Sequence, residues 1–290
     1  MMTFRVARSI TREVMASCAA GARPAGEESA MQKAVGEQIR DWRQQRRLSQ
    51  MDLALDAEIS TRHLSFIETG RAQPSREMVM RIAETLDVPL RARNALLLGA
   101  GFAPVHAERA LDDPELAAAR RAIDLVLKGH EPYPALAVDR HWNLIAANAA
   151  VAPLMAGAAP HLLEAPVNVL RLSLHPEGLA PAILNLGEWR AHLLERLRRQ
   201  AAASADPVLA ALLAELSAYP SREGAGSHDA FGGVVVPMRL ASPAGELSFI
   251  STTTVFGTPL DVTLDELAIE AFFPADSATG ERLHELAGGG

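Results

Sequence analysis

The sequence predicts two domains of different class: an all-α unit of five short helices over residues 31–103, then an α+β unit built on an antiparallel sheet over residues 114–290. Three observations predict it. Apolar residues recur at helical spacing behind capping hydroxyls through residues 34–103, Pro, Gly and paired acids break the periodicity at 104–113, and β-branched runs gather towards the end of the chain. At 290 residues and 49% hydrophobic content, the chain can give each unit its own core, and a disordered polymer is excluded.

In the first unit, Val35, Ile39 and Trp42 mark a helix over residues 34–47. Ser49 caps a second helix carrying Met51, Ala54 and Leu55, and after a turn at Glu58 and Ile59, Ser60 caps a third. Leu64 and Ile67 of that third helix form an inward i, i+3 pair, leaving Thr61, Arg62, Ser65 and Phe66 on its outer side. Ser75 opens a fourth helix through Val79, Ile82, Ala83 and Leu86, and residues 86–102 supply the fifth.

Two capped helices joined by a tight turn form a helix-turn-helix, whose second helix lies in the major groove of DNA. Arg62 is placed to read a guanine, and Phe66 either meets thymine methyl groups or seals the domain core. Arg43, Gln50 and Arg71 are candidate phosphate contacts, with solvated surface as the bland alternative, and Ser49 and Ser60 complete the candidate DNA-contacting set. His63 reads as packing or surface. Residues 34–103 resemble the lambda-repressor-like DNA-binding domain of the xenobiotic response element family, with the reading helix third. The alternative is a helical hairpin with no role on DNA. The turn position held by Glu58 is often glycine in that family, and a left-handed Glu58 costs about 1 kcal/mol.

The net charge of −7 is unevenly distributed. Residues 31–103 hold 11 Arg or Lys against 9 acids, whereas residues 104–290 hold 13 against 23, so the second unit repels phosphate and DNA contact is confined to the first. Lys33 and Lys128 are the sole lysines, an Arg and Ala bias that suggests GC-rich bacterial coding. Cys18 is the one cysteine, which excludes intrachain disulfides and makes a cysteine-based zinc site implausible. No apolar run approaches the roughly 18 residues of a membrane span, so a cytoplasmic location is expected. Residues 1–30 read as a mobile extension, with an arm along DNA as the functional alternative and Met31 as an alternative translation start.

Residues 104–113 read as a linker. Beyond it, residues 114–132 form a helix, and the apolar runs 135–138 and 144–147 flank a DRHWN turn, with Asn148 capping the next helix. Helices are expected over 178–201 and 206–219, then strands over 232–242, 246–257 and 267–275, the first two joined by a PAG turn. A strand pair, several helices and three strands is the order of a PAS-like domain, a small antiparallel sheet with helices over one face.

Three segments, PYPALAVDRHWNLIAANAA, ILNLGEWRAHLLERLRRQ and STTTVFGTPLDVTLDELAIEAFFPAD, resemble the ligand-binding domain of MmyB-like transcription regulators. That resemblance implies a sensor of an apolar ligand such as a fatty acid, coupled to a DNA-binding domain. From the residues themselves, a fatty acid needs an apolar slot and donors for its carboxylate. Val234, Val236 and Met238 alternate to one face of a strand, as do Leu247, Phe249 and Ser251 on its neighbour, and Trp189, Leu193 and Leu197 form a helical stripe. Arg171 with His175, and Arg190 with His192, are the carboxylate-binding candidates. Core packing and surface ion pairing are the competing readings.

Asp139, His141, His175, His192 and His228 offer acid and base groups, yet no nucleophile elbow, Walker loop or HExxH pair joins them, so no enzyme activity, cofactor or metal is expected. The expected function is a homodimeric regulator on double-stranded DNA with a roughly palindromic operator, tuned by a hydrophobic ligand. The alternative makes the C-terminal unit a dimerisation or protein-interaction module without a small ligand.

Overall fold

Hydroxyl side chains set the helix starts of the first unit in the computed structural model, which describes residues 34–220, 235–257, 259 and 261–288. The extension 1–30, Cys18, Met31, Lys33, His228 and Val234 lie outside those residues. Helices α1 (Val35–Gln45), α2 (Gln50–Asp56), α3 (Thr61–Glu68), α4 (Arg76–Thr85) and α5 (Leu90–Gly99) follow in order. The Ser49 hydroxyl accepts from the Asp52 amide at 3.1 Å while the Asp52 carboxylate accepts from the Ser49 amide at 3.0 Å, a reciprocal capping box. Ser60 and Ser75 cap α3 and α4 in the same sense through the amides of His63 and Met78.

Ile39, Leu53, Leu64, Ile67, Ile82 and Leu96 are buried to 1% exposure or less and join the five helices into one core. Gly36 lets α1 lie against the end of α3, because a Cβ there would stand 2.2 Å from the Ile67 carbonyl oxygen. Glu58 adopts φ +54°, the left-handed geometry that favours glycine.

Residues 104–113 are bonded to both units. Asn94 of α5 accepts from the Val105 and His106 amides and donates to the His106 carbonyl, and the Val262 amide donates to the Ala107 carbonyl at 2.8 Å.

The second unit contains α6 (Ala117–Gly129), β1 (Ala135–Val138), β2 (Leu144–Ala147), α7 (Ala152–Met155), α8 (Val169–Leu174), α9 (Leu186–Ser204), α10 (Pro207–Ala218), β3 (Met238–Ser242), β4 (Gly245–Val255), α11 (Val262–Asp265), β5 (Ala268–Pro274) and α12 (Ser277–Gly288). Its five strands run antiparallel in the order β2-β1-β5-β4-β3. Met238 pairs with Phe249 and Leu240 with Leu247, placing four apolar side chains on one face. Against that face pack α8, α9 and α10, through Leu170, Trp189, Leu193, Leu197 and Leu212.

The structure departs from expectation in four places. Helices cover both faces of the sheet: Ile123 and Leu127 of α6 pack on Ala135, Ala137 and Ile269, and Thr279 of α12 accepts from the Ser248 amide behind β4. Strand β3 starts at Met238, and of the residues expected to precede it in the strand the described ones, Val235 to Pro237, lie outside it, because Pro237 has no amide to give a ladder. Helix α9 starts at Leu186 rather than residue 178, since Pro181 sits in the single turn Ala180–Ala182 and Ile183 turns extended to bridge Leu240. After the last expected strand, where the sequence marks no further element, residues 277–288 form α12, held by the Asp276 cap on the Thr279 amide and by buried Leu283.

Candidate DNA-reading face and ligand cavity

Thr61 and Arg62 are exposed at the start of α3, with Ser65 and Phe66 half-buried further along it. The Arg62 guanidinium carbon lies 5.4 Å from the Phe66 ring centroid, so cation and ring occupy one outward patch. Arg71 stands exposed beyond α3, and its amide donates to the Phe66 carbonyl at 2.8 Å.

Arg43 and Gln50 turn inward. Both oxygens of Glu68, whose side chain is wholly buried, accept from Arg43 at 2.7 and 2.9 Å, and Gln50 donates to the same carboxylate at 2.8 Å. Burial pushes the Glu68 carboxyl up, but the bonds from Arg43 and Gln50 and the charges of Arg43 and Arg40 outweigh it and hold the carboxyl below its ordinary value. This cluster ties α1 and α2 to the C-terminal end of the reading helix.

The carboxylate-binding candidates of the second unit are each engaged by other groups. Arg171 forms a two-bond pair with Glu215, 2.7 Å on each arm, and Tyr219 donates to the same carboxylate at 2.5 Å. Arg171 chiefly holds the Glu215 carboxyl down, to about 2, while burial, and then Glu215, pushes the Tyr219 hydroxyl up to about 12. Arg190 donates to the Ser217 and Tyr219 carbonyls at the end of α10. His175 accepts from the Glu177 amide, and His192 stacks on Trp189 with centroids 5.6 Å apart. Burial, with the Arg196 charge behind it, lowers the His192 pKa.

A cavity of about 90 Å³ lies between the sheet and α7, α8 and α9. Its walls are mostly apolar and include Leu136, Leu144, Leu154, Met155, Leu193 and Phe272. Trp189 and Met238 of the expected ligand set line it, whereas Val236 and Phe249 belong to the surrounding packed core.

The polar groups at its margin are Arg196, Glu270 and Ser173. Arg196 grips Glu270 through bonds of 3.0 and 2.6 Å, with the Glu270 side chain 5% exposed, and Thr253 bonds to both. The guanidinium carbon lies 4.5 Å from the ring centroid of Trp142, and the Trp189 indole N–H donates to Ser173 at 3.1 Å. Trp142 is itself at φ +68°, a strained backbone held by its amide bond to the Asp139 carbonyl and by its indole N–H on Gln200.

A family profile for the MmyB-like transcription regulator ligand binding domain matches residues 119–286, the span that encloses this cavity, and a helix-turn-helix profile matches residues 39–92. The chain belongs to the MmyB-like transcription regulators. A comparison with curated proteins finds no match. Both matched families are domains of DNA-binding regulation.

In this MmyB-like regulator, two routes connect the cavity to the DNA-binding unit. Helix α9 lines the cavity with Trp189, Leu193 and Arg196, and near its other end Gln45 and Arg46 of α1 donate to the carbonyls of Ala202 and Ala203. The second route runs through Glu266, four residues before Glu270. Its carboxylate accepts from Arg91 of α5 at 2.8 and 2.9 Å and from Arg140 of the β1–β2 turn at 3.3 Å.

Arg196 and Glu270 were not singled out from the sequence, although a signal existed for each. Arg196 is three residues beyond Leu193 and seven beyond Trp189, hence on the flank of the apolar stripe. Glu270 is a lone acid of strand β5 at the same parity as the cavity residue Phe272.

Proposed function

We propose that this regulator senses a hydrophobic carboxylate of the fatty-acid class in the second unit and that occupancy changes the affinity of a homodimer for a roughly palindromic operator. The observation that carries the reading is an apolar cavity with half-buried Arg196 paired to buried Glu270 at its margin. The acyl part meets Leu154, Met155 and Leu193, and the polar end meets Arg196 and Ser173.

Size makes such a ligand a switch. An apolar cavity of roughly 150 Å³ suits a benzene-sized guest, so a long acyl chain has to enlarge this one by moving α7, where Met155 adapts readily. A ligand that favours an expanded state shifts the population towards it, and α9 and Glu266 carry that shift to the DNA-binding unit. On DNA, Thr61, Arg62, Ser65 and Phe66 are the groove contacts, with Arg71 on phosphate. Two copies are needed because a single reading helix buries little surface.

Native mass spectrometry of the purified protein, followed by operator titration with and without a long-chain saturated fatty acid, tests the reading. Retained lipid and a shift in operator affinity support it. Absence of lipid binding, with operator binding intact, overturns sensing and makes the second unit an interaction module.

A further inference from the structure

We infer a divalent transition-metal site on the surface of the second unit, formed by His161, His175 and Glu177. One donor atom from each of these residues lies within 4.8 Å of the other two. The two segments that carry them are clamped together: the Ala159 amide donates to the Glu177 carbonyl at 2.9 Å, which sets the turn Pro160–Leu162 against the loop following α8. His161 Nε2 stands 4.0 Å from a Glu177 carboxylate oxygen, and the two imidazole centroids are 5.7 Å apart at 79°. Ligands of a tetrahedral zinc ion at about 2.0–2.1 Å lie roughly 3.3–3.4 Å from one another, so contraction by small side-chain rotations closes the set.

The Glu177 amide donates to His175 Nδ1 at 3.0 Å, so without an ion that lone pair is engaged, and an ion held at Nδ1 would replace this one hydrogen bond. The His175 ring also packs edge-on against Tyr219, with centroids 5.1 Å apart. Two imidazoles and one carboxylate suit a borderline ion such as Zn²⁺ or Co²⁺, with the fourth position open to water. Because His161 and Glu177 are exposed, the pair contributes little to folding without the ion, and metal would staple the turn at 160–162 to the end of α8.

The test is calorimetric titration of Zn²⁺ into the tag-free, chelator-treated full chain, with Co²⁺ as a spectroscopic probe. The expected result is a site whose Co²⁺ form shows the intense visible absorption of tetrahedral coordination, and whose affinity falls at least about tenfold in His161→Ala and in Glu177→Gln. Both variants should keep the metal-free melting profile of the parent, while Zn²⁺ raises the melting temperature of the parent alone. Lack of Zn²⁺ binding, or binding and stabilisation that survive both substitutions unchanged, would overturn the assignment.

Discussion

Arg62 and Arg43 carry the same charge, but Arg62 is exposed on α3 whereas Arg43 turns inward to Glu68. Arg62 projects from α3 beside Phe66, so Arg62→Ala should lose about 1–3 kcal/mol at one base position while binding to random DNA holds, as competition titrations would reveal. Arg43→Ala should instead destabilise the fold by about 1–3 kcal/mol in denaturant melts, because it leaves the buried Glu68 carboxylate with only Gln50 and the more distant Arg40. Replacing both partners with leucine should recover much of that loss, and an Arg43→Ala variant as stable as the parent would show the pair to be ornamental. The Glu215 carboxyl gives the pH signature. Its pKa is depressed in the fold, so the stability it adds is complete above its ordinary 4.5 and disappears as the pH falls towards about 2. Thermal melts of Glu215→Gln should therefore differ from the parent at neutral pH and converge with it in acid.

Among the elements, the α1–α3 contact rests on a single small residue. Gly36→Ala should cost about 1–3 kcal/mol in thermal or denaturant melts, since its methyl would meet the Ile67 carbonyl and a backbone has no rotamer with which to yield. What was legible in the sequence divides along this line. Ser49, Ser60 and Ser75 announce three helix starts because capping is local chemistry, and each makes the bond that its position implies. The Trp189, Leu193 and Leu197 stripe likewise faces the core. The partners of charged side chains were not legible, because Arg171 finds Glu215 44 residues away and Arg196 finds Glu270 74 residues away, distances over which periodicity carries no information. Helix α12 was missed for a related reason: its placement rests on the long-range bond from Ser248 to Thr279.

For the whole molecule, the proposed coupling between cavity and operator would be a reciprocal free energy. If a fatty acid changes operator affinity by some factor, saturating operator must change fatty-acid affinity by the same factor, and typical couplings are about 5- to 150-fold. Arg91→Ala removes the bonds from α5 to Glu266 while leaving α3 and the cavity walls in place. Operator titrations on this variant should show the ligand-induced factor shrinking towards unity, with the selectivity among base sequences retained. An undiminished factor would assign the signal to α9 and its contacts with Gln45 and Arg46.

The charge cluster at Glu68 restricts how such control can act. With Arg40, Arg43 and Gln50 all converging on the base of α3, the reading head is a stiff tool whose shape a distant event alters only at high energetic cost. In the proposed homodimer, regulation by the second unit would then work through where two such heads stand relative to each other. Operators with altered half-site spacing would be the ones to invert or abolish the response.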